Sequence, residues 1–234
     1  MAAGFDKQGE AVKELHQIGF SFVEIVFRLP EDNAVVNRYC FNSDIVWEHL
    51  KKLKETNFDG IIGVNLGKNK ETKDTVQDYL DGIKRFMDVA DYFVINISSP
   101  NTPSLRSLQN KKNLEELTRI NAARELIGSK QPLLLKLAPD LSDLEQQDVA
   151  DVILRKKSKV DGLIFIPIGV GSIFSGADAY VKIKAGASLV QLYTSYMFNG
   201  SPIVVKIKKE LCKILETNGF SSVADAVGKD TKNR

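Results

Sequence analysis

The residues of this 234-residue chain whose types and spacing could do chemistry gather between Asn96 and Arg106, in the stretch Asn-Ile-Ser-Ser-Pro-Asn-Thr-Pro-Ser-Leu-Arg. A hydroxyl at Ser99 stands between carboxamides at Asn96 and Asn101. Such a set suits a planar ligand with hydrogen-bonding edges, because an amide offers both a donor and an acceptor. The same letters also spell an ordinary strand-to-loop turn, since Ser-Pro-Asn is turn chemistry. A second chemically odd residue is Lys136, set inside Leu133-Leu-Leu-Lys-Leu137. A lysine in a core strand is costly without a partner unless its head snorkels to water.

The elements that must position these groups alternate. Tyr92-Phe93-Val94-Ile95 is short, continuous and apolar, and reads as a buried strand whose C-terminal end delivers Asn96 and Ser99. In parallel α/β proteins that end is where active sites sit. Other strand-like runs are Ala2 to Phe5, Phe22 to Val26, Gly60 to Gly67 and Pro132 to Ala138. Between them lie helical periods: about Gly9 to Ile18 with a stop at Gly19, then Val46, Trp47, Leu50 and Leu53, then Val76, Leu80, Ile83 and Met87. Leu114, Leu117 and Leu126 mark a further helix, and Ser142 with Glu145 forms a capping box before Val149, Val152 and Ile153. Ser201-Pro202 reads as the cap and first turn of a last long helix, with Val204, Ile207, Leu211, Ile214 and Leu215 as its stripe and Gly219 as its end.

Strand then helix, repeated, implies parallel pairing with right-handed crossovers. The even spread without a linker favours one (β/α) barrel domain over residues 1–234, although spacing does not exclude a doubly wound sheet. One junction reads wrongly. Asp161-Gly-Leu-Ile-Phe-Ile-Pro-Ile-Gly-Val-Gly171 looks like two strand cores joined between Phe165 and Ile166. A parallel crossover needs about a dozen residues or more, so this is either one long strand or the scar of a lost βα unit.

Composition excludes several classes. A hydrophobic share of 43% allows a full core, and a formal charge of +2 gives no electrostatic case for nucleic acid or an anionic membrane. Cys40 and Cys212 make no disulfide framework, and His16 and His49 lack metal-ligand spacing, so no metal site and no His-dependent triad is expected. The sequence has no apolar run of the roughly 18 residues that a membrane helix needs, and its start resembles neither a signal nor a transit peptide.

Asn96-Ile-Ser-Ser-Pro-Asn-Thr with Leu105-Arg-Ser-Leu-Gln109 closely resembles the active-site segment of class 2 dihydroorotate dehydrogenases. Further motifs of that family follow in order: Ala2-Ala-Gly-Phe-Asp-Lys7, Phe27-Arg-Leu-Pro-Glu-Asp32, Asn37-Arg-Tyr39, Gly63-Val-Asn-Leu-Gly-Lys-Asn-Lys70, Lys136-Leu-Ala-Pro-Asp-Leu141 and Gly186-Ala-Ser-Leu-Val-Gln-Leu-Tyr-Thr194. The resemblance implies an FMN-binding (β/α)8 TIM barrel. It implies oxidation of dihydroorotate to orotate, with quinone (ubiquinone) as final acceptor, in de novo synthesis of the pyrimidine nucleotide UMP at the mitochondrial inner membrane. Ser99 falls at the catalytic-base position; the cysteine of class 1 or dihydrouridine-type enzymes is absent there. Lys7 matches the grip on the substrate carboxylate. Asn37, Arg38, Tyr39, Phe41, Asn96 and Asn101 fall on the substrate side. Ala2, Ala3, Gly4, Asn65, Asn96, Lys136, Gly171, Ser172, Tyr193 and Thr194 fall on the FMN side, with Lys136 beside the flavin N1/O2 edge and the last four at the phosphate.

The chain also departs from the family. The strand end and loop between Ile25 and Phe27 are short, and a strand-6 end and helix 6 are missing at Phe165/Ile166, which makes the expected barrel incomplete. Cys40 and Ser172 replace usual glycines. The chain begins inside strand 1, so the targeting segment, anchor and tunnel helices of the family are expected to be absent. Because closure ties strand number to tilt and stagger, these gaps predict weak FMN binding and slow turnover. They leave a catalytically impaired remnant as the second reading beside the enzyme.

Overall fold

The computed structural model describes residues 1–6, 8–27, 43–68, 74–97, 111–137, 141–153, 160–165 and 173–231. Among these residues five strands, β1 (Phe22–Phe27), β2 (Ile61–Gly67), β3 (Tyr92–Asn96), β4 (Leu133–Leu137) and β5 (Gly162–Phe165), form one sheet. All neighbours are parallel. Their spatial order β1-β2-β3-β4-β5 is also the chain order. A doubly wound sheet reverses direction about its first strand; a wall that only advances is the barrel arrangement.

The wall continues past the free edge of β1. The Met1 nitrogen donates to Phe22 O at 2.7 Å, and Glu24 N donates to Met1 O at 3.1 Å, which is the two-bond pattern of a parallel ladder. Ala2 N then donates to Leu192 O at 3.0 Å. The last strand-like stretch of the chain therefore lies beside the first, as in a TIM barrel that is incomplete past β5. The ladder bonds stop at Ala2, and the chain turns at Gly4, whose φ of +95° suits a residue without a Cβ.

The helices form where the apolar period predicts. Val12 and Leu15 bury α1 (Val12–Ile18), which ends at Gly19 in the left-handed conformation with φ +111°. It starts three residues later than the periodicity suggests, because the buried Asp6 carboxylate takes the Glu10 and Ala11 N–H groups first. Val46 and Leu50 bury α2 (Ser43–Glu55). The Asp74 side chain caps α3 (Thr75–Phe86), accepting from Val76 N and Gln77 N. The capping box at Ser142 and Glu145 opens α5 (Asp143–Ile153), with bonds of 2.7–3.4 Å.

Four further features differ from the sequence reading. Leu126 ends α4 (Lys111–Leu126) at 88% exposure rather than on its buried face. A short helix, α6 (Gly176–Lys184), was not visible in the pattern. After α7 (Thr194–Asn199), Ser201 precedes α8 (Pro202–Thr217) in helical conformation and makes no side-chain cap bond, so Pro202 at the first turn carries the start alone. Leu211 and Ile214 are half-buried, while Ile203 joins Val204, Ile207 and Leu215 in the core. Beyond α8, the four-residue α9 (Val223–Ala226) packs beside α6 over Ile183 and Leu215. β5 ends at Phe165, and residues 166–172, the far side of the odd junction, lie outside the described residues.

Candidate functional site inside the barrel wall

Strand pairing decides which side chains share the barrel interior. Gly67, Asn96 and Lys136 are register partners along β2, β3 and β4, and Asn65 lies two residues before Gly67 on the same face. Glu24, Gly63 and Tyr92 form the row nearer the strand starts. Asn96 Nδ2 donates to Asn65 Oδ1 at 2.9 Å, and Asn65 Nδ2 donates to Glu24 Oε1 at 2.7 Å. Glu24 Oε2 accepts from Gln191 Nε2 at 3.0 Å and from the Tyr92 hydroxyl at 3.4 Å. A buried polar chain thus runs from the strand ends towards the strand starts.

Glu24 is 0% exposed, and three donors converge on it. That is the environment a buried carboxylate needs. Burial, with Glu24's charge second, pushes the Tyr92 phenol far up, so it stays a donor to Glu24. Gly63 makes room for this ring: a Cβ there would run into the Tyr92 ring.

Lys136 is 9% exposed, and among the described residues its ammonium has neither a hydrogen-bond nor an ion-pair partner. A nearly buried lysine beside a carboxamide offers positive charge and hydrogen-bond donors to an electron-rich planar group, so the donor set suits the flavin that the sequence resemblance implies. A second group of expected cofactor residues also comes together. The Tyr193 hydroxyl donates to Gly4 O at 3.5 Å, and Phe5 packs edge-on against Tyr193 and Tyr196. Ala2 and Ala3 precede Gly4, and Thr194 opens α7. The Gln191–Glu24 bond ties this group to the polar chain.

Of the expected site residues, the structure describes Ala2, Ala3, Gly4, Asn65, Asn96, Lys136, Tyr193 and Thr194. Lys7, Asn37, Arg38, Tyr39, Phe41, Ser99, Asn101, Gly171 and Ser172 lie outside the described residues, as does Cys40. Sequence reasoning missed Glu24, Tyr92 and Gln191. The signal for the first was the acid in Phe22-Val-Glu-Ile-Val-Phe27, as anomalous in an apolar strand as Lys136 is in its own.

The family model described as dihydroorotate dehydrogenase matches residues 1–167 and 155–215. The chain belongs to the dihydroorotate dehydrogenase family. The match falls into two pieces that meet around the junction at Phe165/Ile166, which supports a missing stretch there. The chain is 39% identical to the mouse protein named dihydroorotate dehydrogenase (quinone), mitochondrial, over 98% of this chain and 76% of that one. It is 38% identical to the Rhodospirillum rubrum dihydroorotate dehydrogenase (quinone), over 100% of this chain and 80% of that one. These quinone-named relatives are the class 2 branch to which the serine motif pointed. The alignment with the mouse protein runs to 302 positions, more than this chain contains, so that family member carries segments this chain lacks. Among solved structures, a DHODH from Eimeria tenella in complex with ferulenol superposes with a TM-score of 0.87 at 31% identity, covering 99% of this chain and 84% of that one. Among the described residues no helix is long and apolar enough to cross a membrane, and no group of His, Cys, Asp and Glu could hold a metal ion.

Proposed function

We propose that this chain, as one barrel domain over residues 1–234, oxidises dihydroorotate to orotate in pyrimidine synthesis, with FMN as hydride acceptor and quinone as final acceptor. The observation that carries the reading is the buried chain Glu24–Asn65–Asn96 beside the nearly buried Lys136, in a member of this family. FMN, when bound, would supply the two-electron acceptor for the C6 hydride, with quinone as the final acceptor. The chain's own residues do the rest. Ser99 takes the C5 proton; a free serine is a weak base, so it needs a polarising neighbour or a relay. Lys7 holds the substrate carboxylate as a compact cation, and Asn37, Asn96 and Asn101 read the alternating C=O and N–H edge of the ring. Arg38, Tyr39 and Phe41 complete the substrate side. Lys136 would hold the flavin ring and offer it positive charge. Asn65, Ala2, Ala3 and Gly4 line the cofactor side, and Gly171, Ser172, Tyr193 and Thr194 hold the phosphate.

The names of the mouse and rice relatives support a mitochondrial setting, with the inner membrane as the place of quinone reduction. Coverage of nearly the whole chain by quinone-dependent relatives favours the enzyme over an impaired remnant. The test is flavin content of the purified chain followed by anaerobic addition of dihydroorotate. The native chain is expected to hold flavin, more weakly than its longer relatives, and to bleach slowly; Ser99→Ala should hold flavin equally and stay yellow. A folded native chain that takes up no flavin would overturn the enzyme reading, and loss of flavin in Ser99→Ala would make Ser99 structural.

A further inference from the structure

We infer that Glu24 is a positioning residue: its carboxylate fixes which way the carboxamides of Asn65 and Asn96 point. The inference concerns the donor–acceptor polarity of the buried chain, and its meaning for ligand recognition rests on the function proposed above.

An ionised carboxylate only accepts hydrogen bonds, whereas a carboxamide can present either end. The three groups facing Glu24 are the Asn65 amide, the Gln191 amide and the Tyr92 hydroxyl, and each is placed to donate. Asn65 must therefore turn its NH2 to Glu24 Oε1. Its oxygen then faces Asn96, which must answer with its own NH2, as the 2.9 Å bond shows. Asn96 is the last residue of β3, so the orientation chosen at Glu24 is transmitted to the strand end. Reversing either amide would set two oxygens or two NH2 groups face to face inside a wall where Glu24 and Asn65 are both 0% exposed. A buried mismatch of that kind is what the anion forbids.

Replacing the anion by an amide removes the constraint. In Glu24→Gln the new NH2 can face Asn65, which then flips and carries Asn96 with it. It can instead face Gln191, whose Oε1 is buried and has no hydrogen-bond partner among the described residues and so can accept after a flip of its own. Two arrangements compete where the native chain has one. The exchange Glu24→Gln with Asn65→Asp restores a single answer. The amide introduced at position 24 would donate to the carboxylate introduced at position 65 and accept from Tyr92 and Gln191. The acceptor-only group at position 65 again demands the Asn96 NH2. Formal charge and every pairing in the chain are conserved.

The experiment is side-chain amide NMR on the native chain, the single variant and the exchange, with no ligand needed. The native chain should give one set of Asn65 and Asn96 NH2 signals. Glu24→Gln should give doubled or exchange-broadened signals, and the exchange should return Asn96 to one set. In parallel, affinities for orotate and for its ring-N-methylated analogue are compared. Their ratio should fall about tenfold in Glu24→Gln, as expected when one donor–acceptor match is lost, and recover in the exchange. Single native-like signals with an unchanged ratio in Glu24→Gln would overturn the inference. So would an exchange that fails to fold or leaves Asn96 doubled. If Glu24→Gln itself does not fold, the exchange alone decides. A native chain that shows the NMR pattern but binds no orotate would sink the proposed function and leave the role of Glu24 standing.

Discussion

Among the described residues, Lys136 has no ion-pair partner. It sits on β4 opposite Asn96, nearly buried, and the carboxylate in this interior, Glu24, is taken up by three other donors. Burying an ammonium without a partner works against folding. Lys136→Met keeps the length and removes the charge. It should leave the flavin-free chain equally stable or more stable by about 1 kcal/mol, the usual size of such a release. The same change should weaken flavin binding by tenfold or more, since the group that matches the ring is gone. Thermal unfolding of the flavin-free protein beside a flavin titration checks both halves. A lysine that merely snorkels would leave flavin affinity alone.

At the level of elements, two aspartates repeat one device. Asp91 precedes β3 and exchanges two bonds with Ile62 near the start of β2: its carboxylate accepts from Ile62 N at 2.7 Å and its own N–H donates to Ile62 O at 2.8 Å. Asp161 precedes β5 and does the same with Leu133 at the start of β4, both bonds at 2.7 Å. Each staples a strand to its neighbour: Asp91 holds β3 against β2, where Asn96 falls opposite Gly67, and Asp161 holds β5 against β4. Asp91→Ala or Asp161→Ala should each cost about 1–3 kcal/mol, because a buried strand N–H loses its acceptor. Lys54→Ala should cost well under about 1 kcal/mol, because its ion pair with Asp91 is largely exposed. Denaturant midpoints separate the two cases. At α6 the Asp178 carboxylate accepts from Phe174 N and Ser175 Oγ, and the Phe174 bond chiefly holds its pKa below the ordinary 3.8. A depressed acid stabilises above its unfolded value, and the benefit is lost as pH falls below 3.8 through the folded value. Asp178→Asn should therefore narrow the gap between denaturant midpoints measured at pH 7 and in acid.

Over the whole molecule, the alternation of strands and helices was legible because each element buries one face and repeats its apolar residues at its own period. Lys136 was legible because a charge in an apolar strand is anomalous, and Glu24 carried the same signal unread. The partnership of Glu24 with Gln191 was not legible, since these residues stand 167 apart and only barrel closure makes them neighbours. The helix α6 escaped because it is nine residues long and begins at Gly176, a residue of weak helix propensity. That glycine is nevertheless required, since a Cβ there would strike the Glu210 and Leu211 backbone of α8. Closure also makes a prediction. Gln191→Leu removes a donor from a buried carboxylate and should destabilise by about 1–3 kcal/mol. The exposed Leu189→Gln, two positions away, should stay within about 0.5 kcal/mol in the same thermal melts.

Ala2 and Glu24 wait for partners that the ribosome delivers late. Leu192 and Gln191 close the wall on these earlier residues, so the site cannot be completed until that pair has been made. At roughly 5–20 residues per second, the 167 positions between Glu24 and Gln191 correspond to a delay on the order of ten to thirty seconds. Throughout that interval the nascent sheet shows an open edge at Ala2, beside β1, and an open edge invites pairing with other chains. Newly made protein should therefore depend on chaperones more than its size suggests, and flavin uptake should be one of the last events in its biogenesis.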